Sequence, residues 1–286
     1  MSNMREIRTR IKSVKNTEQI TKAMKVVAVS KLRRTQASME SMRPLTDKCQ
    51  EVIDALLSGS TPLENRFIVP HKSVKRVCYV LFVGNRGLCG AYNSNLVHFL
   101  SDIVADSDKE IDIVVLGRWG KDVFAKSKLP ILRSFTEISD TPNGEQALEI
   151  AEYLKQLFLS GKVDEVHLVY QHYISALRQE PVQMQLLPAK PEHSGGASLD
   201  FELMPNPAEV LESAMQLYIN NKVFSAMVEA KCGEHSSRMT AMTAAADSTK
   251  SLIAELELSL NRARQAAITT EISEIVGGAS ALKRKK

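Results

Sequence analysis

Two stretches of the chain repeat their apolar residues in steps of three and four. The first runs through Ile7, Ile11 and Val14, then Ile20, Met24 and Val27, then Leu45, Cys49, Val52 and Leu56. The second runs through Ile253, Leu256, Leu260, Ala263 and Ala267, with earlier rungs at Leu211, Ala214, Leu217, Phe224 and Met227. Such spacing collects each set on one face of a helix. Helix breakers respect the same division: residues 1–43 hold neither Gly nor Pro, and residues 208–276 hold no Pro and a single Gly, Gly233. Pro44 falls inside the first stretch, where a missing amide donor bends a helix. Pro205 and Pro207 introduce the second, with Asn206 placed to cap it. A lone helix with one apolar stripe is poorly stable, so the two stretches predict an antiparallel coiled coil. A bundle in which both fold back is the alternative, and the scarcity of breakers opposes it.

Between these stretches the period changes. Val77–Val83, Ile111–Leu116 and Val166–Tyr170 are short β-rich apolar runs, and Asn93–Val104, Trp119–Lys126 and Glu145–Leu159 read as helices. Strands alternating with helices predict a parallel sheet covered on both faces. Pro181–Leu187 reads as an edge strand, because Pro cannot serve a central ladder, and His193–Ala197 reads as a loop. The predicted fold class is therefore α/β plus a long antiparallel coiled coil. Long terminal helices over residues 1–58 and 207–282 flank a Rossmann-like α/β domain over 75–200 with a mostly parallel sheet.

Charge sharpens the picture. Residues 1–34 carry ten Lys or Arg against Glu6 and Glu18, and Lys283–Lys286 closes the chain with four more cations. The whole chain is only +4, so the stretch between is acidic. A basic N-terminal helix fits an acidic partner surface, or else a solvated helix face. The sequence opens without an apolar signal core, which argues against export. Its four cysteines, Cys49, Cys78, Cys89 and Cys232, show no metal-ligand spacing and fit reduced cytosolic thiols.

Candidate chemistry is sparse. Gly84-Asn85-Arg86-Gly87-Leu88-Cys89-Gly90 follows the first strand and precedes a helix, where doubly wound folds bind phosphates. Its G-x-x-G-x-x-G spacing matches neither the dinucleotide fingerprint nor the P-loop, so the loop reads as a turn with close backbone packing, or as a nucleotide site. The six histidines are scattered, and His167 and His172 point to opposite faces of one strand. A nucleotide-binding enzyme and a nucleic-acid-binding coiled coil stay open on these residues, the latter without a base-reading motif.

Three separated segments nevertheless carry a resemblance. They are Glu6-Ile7-Arg8 through Ser30-Lys31, with Ile20-Thr21-Lys22-Ala23-Met24 inside it; Arg86-Gly87-Leu88-Cys89-Gly90 with Asn93; and Glu234-His235, Arg238-Met239, Asn261, Arg264-Gln265, Ile268-Thr269, Glu271 and Glu274-Ile275-Val276. In this order they resemble the gamma subunits of bacterial F-type ATP synthases over nearly the whole chain. The resemblance implies a central-stalk rotor that couples transmembrane ion flow to ATP synthesis, and the reverse, by turning inside a ring of alpha and beta subunits. It would influence their activity while carrying no catalytic residue, cofactor or metal of its own. The implied partners are the alpha, beta and epsilon subunits and the c-subunit ring, with no nucleic acid. The implied location is peripheral, on the cytoplasmic face of the bacterial inner membrane. By the same resemblance Met24, Arg264, Gln265, Thr269, Glu271 and Glu274 face or contact beta subunits, and Arg86, Gly87, Leu88, Cys89 and Gly90 form a structural signature. The chain departs from the family pattern at Asn85, Gly233, Ser248, residues 204–207 and the basic tail.

Overall fold

A computed structural model describes residues 2–57, 65–124, 129–190, 204 and 206–283. The loop read at 193–197, the end of the helix read to Lys126 and tail residues 284–286 lie outside the described residues. Helix α1 spans Ser2–Leu57 and helix α5 spans Pro207–Lys283. Between them run β1 (Arg76–Phe82), α2 (Tyr92–Ala105), β2 (Glu110–Leu116), α3 (Arg118–Phe124), β3 (Ile131–Phe135), α4 (Gly144–Leu159), β4 (Glu165–Tyr173) and β5 (Gln179–Leu187). The chain divides into two compact units, one of Met1–Val27 with Thr240–Lys286, the other of Ala28–Met239. Among the described residues no helix is long and apolar enough to cross a membrane.

In the larger unit the sheet has the order β3-β2-β1-β4-β5, with β1 parallel to β2 and β4, β3 parallel to β2, and β5 antiparallel at the edge. Alternation along β1 sends Val77, Tyr79, Leu81 and Val83 towards α2, and Cys78, Val80 and Phe82 towards α4, α1 and α5. Each face thus has its own core, which is why the strands read as unbroken apolar runs. Strand β3 is absent from the sequence reading. Its Leu132 and Arg133 are exposed, so its few residues lack an apolar run. Strand β5 starts two residues before Pro181, which sits opposite Gln171 at the sheet edge.

The two long helices also run antiparallel in this unit. Asn221 Nδ2 donates to Thr46 Oγ1 at 3.0 Å, and eleven residues further along α5 the Cys232 thiol meets Thr35, eleven residues back along α1. Helix α5 begins on Pro207 with Asn206 as its cap, the Asn206 Oδ1 accepting from the Glu209 amide at 2.9 Å. In the smaller unit Lys15 Nζ lies 2.9 Å from Glu257 Oε1, and α5 turns Met242, Ala246, Thr249, Ile253, Leu256, Leu260, Ala263 and Ala267 inward in strict steps of four and three. That is the 3.5-residue repeat of a coiled-coil seam.

On α1 the seam differs from the sequence reading. The inward positions are Ile7, Ile11, Val14, Glu18, Thr21, Lys25, Ala28, Leu32, Thr35, Met39, Met42, Thr46, Cys49, Ile53 and Leu56, again alternating four and three. Ile20, Val27 and Leu45 were read onto this stripe but are exposed, Ile20 by 60% and Leu45 by 48%, and Leu217 of α5 is exposed as well. Side-chain size alone favours Ile20 and Val27 over a seam that is polar or small through its middle. Pro44 lies within α1, whose helical assignment continues through it. The corrected seam makes a contrast: Leu32→Ala should cost about 2–5 kcal/mol of unfolding free energy, whereas Leu45→Ala should stay within about 0.5 kcal/mol. Denaturant unfolding of the full chain measures both.

Candidate functional site

Pairing between β1 and β4 stops at Leu81↔Val169, although β4 continues to Tyr173. Beyond that point the two strands part at the carboxyl edge of the sheet. This is the reversal of strand order where doubly wound folds receive their ligands. Here the gap is filled by α5. A Cβ on Gly233 would stand 3.2 Å from Gln171 Cβ of β4 and 3.3 Å from the Tyr92 ring at the start of α2. Tyr92 cannot easily retreat, since its hydroxyl donates to the Ala230 carbonyl at 2.8 Å. A mid-helix Gly gives up about 1 kcal/mol against Ala, and here it permits the helix to approach the sheet.

The next residue of α5 is Glu234, 2% exposed. Its carboxylate lies against Gly84, where an added Cβ would be 3.0 Å from Glu234 Cδ and Oε1. Lys231 Nζ donates to Oε2 and Arg238 Nη2 to Oε1, both at 2.7 Å. Arg238 Nη2 also approaches the carbonyls of Arg86 and Gly87, at 3.5 and 3.4 Å. Burial on its own pushes the Glu234 carboxyl upward, but the Lys231 and Arg238 charges outweigh it and hold the group below the ordinary glutamate value. The remaining void between β1, α2 and α5 is about 10 Å³ and is lined by Phe82, Val83, Tyr92, Leu116, Lys231 and Glu234 among others. That is room for about one water.

Neighbouring polar groups extend the attachment. His235, fully buried, donates through Nε2 to the Asp140 carbonyl at 3.0 Å, and the Asp140 carboxylate pairs with Lys31 of α1. Asn85 donates through Nδ2 to the Ile138 carbonyl at 2.6 Å, a bond that a carboxylate could not make. Ser236 Oγ donates to the Ala176 carbonyl. Of the signature residues, Cys89 is buried beneath α2, whereas the side chains of Arg86 and Leu88 are exposed. All four cysteines are free and buried. Burial pushes the Cys78 thiol up to about 12 and Cys232 up to about 11, which leaves both protonated and unreactive. Among the described residues no three His, Cys, Asp or Glu are grouped to hold a metal.

The residues tied by resemblance to beta subunits lie in the smaller unit. Met24 is half-buried on α1. Arg264, Gln265, Thr269, Glu271 and Glu274 are exposed on α5, and the side chains of Arg264 and Gln265 make no hydrogen bond or ion pair among the described residues. Ile268, Ile272, Ile275 and Val276 share the exposed stretch, Ile275 being 71% exposed. The sequence reading left these four apolar residues out of its contact set, although their place beyond the last seam rung, Ala267, is visible in the period. It also gave no role to Lys231, Glu234 and Arg238, whose spacing of three and four signals one helix face.

The buried groups set a pH dependence. Burial holds His235 and His167 below the ordinary imidazole value of 6.5, so both fold neutral. The unfolded chain takes up these protons first. Stability should therefore be full above about pH 6.5 and decline as pH falls below it. The depressed carboxyls of Glu234, Asp140 and Glu212 add a further loss below about pH 4.5. Thermal unfolding of the full chain between pH 7.5 and 5 checks the first step; His235→Gln combined with His167→Gln should flatten it.

The chain matches the family model described as ATP synthase over residues 3–282. It is 42% identical to the ATP synthase gamma chain of Desulfitobacterium hafniense and 39% identical to that of Stenotrophomonas maltophilia, in each case across 99% of this chain and 100% of the relative. Its fold is similar to chains in the Euglena gracilis mitochondrial ATP synthase structures. One, from OSCP/F1/c-ring in rotational state 3, has a TM-score of 0.72 at 20% identity, covering 98% of this chain and 95% of that one. Another, from the rotor in rotational state 1, has a TM-score of 0.69 at 19% identity, covering 93% and 99%. The family model spans the long helices, the sheet and the crevice alike, and the bacterial relatives match from end to end: the chain belongs to the ATP synthase gamma chain family.

Proposed function

We propose that the chain is the central-stalk rotor of an F-type ATP synthase, coupling ion flow to ATP synthesis and ATP hydrolysis to ion pumping. The observation that carries this reading is the face of α5 beyond Ala263. Three isoleucines and a valine stand in water there beside Arg264 and Gln265, whose side chains have no partner among the described residues. An apolar face of that kind on a regular helix fits a partner surface. In this reading Met24, Arg264, Gln265, Thr269, Glu271 and Glu274 meet beta subunits of the surrounding alpha–beta ring. The basic first turns of α1, with Arg5, Arg8 and Lys12 exposed, suit an acidic lining of that ring.

The similar chains come from assemblies named rotor, OSCP/F1/c-ring and central stalk/c-ring. In this reading the α/β unit faces the epsilon subunit and the c-subunit ring, and the chain sits peripherally at the inner membrane on its cytoplasmic face. It contributes no catalytic residue. The occupied crevice supports that view, because the place where this type of sheet would hold a nucleotide is taken by α5.

Arg offers a planar fork to a carboxylate, and Gln can donate and accept, so Arg264 and Gln265 can favour one angular position of the ring over another. The double change Arg264→Ala with Gln265→Ala removes contacts of about 1.5–3 kcal/mol. ATP hydrolysis and ATP-driven pumping by the assembled complex should fall severalfold. Wild-type rates with normal assembly would remove these side chains from the coupling path.

A further inference from the structure

We propose that Glu234 is a built-in anion seated where a doubly wound sheet would receive a ligand's phosphate, and that its ion triad with Lys231 and Arg238 transmits torque between α5 and the sheet. The proposal rests on the rotor reading above.

Three features place the carboxylate. The loop after β1 and the N-terminus of α2 form the position that attracts anions in such folds. Gly84 lets the Glu234 carboxylate sit directly on that loop. Both carboxylate oxygens are matched by cations at 2.7 Å, and Arg238 passes the attachment on to the Arg86 and Gly87 carbonyls. Gly233 brings the helix close enough for this, and the 10 Å³ that remains admits no larger anion.

The mechanical role follows from directionality. Apolar side chains can slide past one another at little cost for small displacements. Lys231, Glu234 and Arg238 move together on α5, so a displacement instead pulls the carboxylate from its seat against Gly84 and parts Arg238 from the Arg86 and Gly87 carbonyls. A second polar attachment lies further down the same helix. Lys155 of α4, almost fully buried, bonds Gln216, and Glu212 holds Arg66 at 2.6 Å and Asn65 at 2.8 Å. Gln216 and Glu234 are eighteen residues apart, roughly 27 Å along a helix. Fixing α5 at two separated levels, to the loop after β1 and to α4 with residues 65–66, resists both twisting and tilting.

The test is single-molecule rotation of the membrane-free alpha–beta–gamma complex, with the ring immobilised. A bead is attached through Ser101→Cys on the exposed side of α2; the four native thiols are buried and do not compete. The readout is the angular variance of the bead within each dwell, which measures torsional compliance between shaft and sheet. Glu234→Ala should raise that variance severalfold. Formate, which restores a carboxylate between Lys231 and Arg238, should bring it back towards wild type, and formamide, of the same shape without the charge, should not. Unchanged variance in Glu234→Ala, or a rise that formate and formamide relieve equally, would overturn the proposal. Where Glu234→Ala does not assemble, Arg238→Lys keeps the charge and loses the fork to the loop. It should raise the variance to a smaller degree, and no rise would count equally against the proposal. Absence of ATP-driven rotation in the unsubstituted complex would instead refute the rotor reading itself.

Discussion

A carboxylate buried at the mouth of a sheet can stay charged only if the chain supplies its counter-ions, and that requirement organises the larger unit. Glu234 needs Lys231 three residues before it and Arg238 four residues after it, so all three must lie on one helix held in one orientation. The helix in turn must come close enough for the charges to meet the loop after β1. That approach calls for Gly84 on the sheet side and Gly233 on the helix side. The parting of β1 from β4 after Leu81↔Val169 supplies the space. Removing Lys231 or Arg238 leaves Glu234 short of a counter-ion in a site with room for little more than one water.

The same arrangement gives the α/β fold a different use. Sheets of this order ordinarily keep the carboxyl edge open for a ligand. Here that edge is closed by the chain's own helix, and a fold associated with nucleotides serves as an anchorage. The seam between α1 and α5 follows a complementary logic. Small and polar residues such as Thr21, Ala28 and Thr35 allow close approach, and Thr35 meets the Cys232 thiol across the seam, while the larger apolar side chains Ile20, Val27 and Ile275 are left exposed for other surfaces.

Much of this was legible in the sequence, and the exceptions have physical causes. β1, β2 and β4 announced themselves because burial on both faces makes their residues uniformly apolar. β3 did not, because an edge strand with Leu132 and Arg133 in solvent has no such run. The α5 ladder from Ile253 to Ala267 read correctly, since its rungs are the apolar residues of that segment. The α1 seam did not, because Glu18, Thr21 and Lys25 occupy rungs where size alone points to Ile20 and Val27. Arg264 and Gln265 entered through family resemblance. Glu234 was quoted in that resemblance without a role, because charges spaced three and four apart on a helix ordinarily describe a solvated face; only the depth of α5 in the crevice distinguishes the two.

The central claim is that α5 around Gly233 and Glu234 belongs to the core of the α/β unit. Amide hydrogen exchange on the full chain tests it most directly. Amides over residues 226–238 should exchange as slowly as those of β1 and β4, by the same cooperative opening, and far more slowly than those over 268–280. If residues 226–238 exchange as fast as 268–280 while β1 and β4 stay protected, the helix is not held in the crevice and the account is wrong.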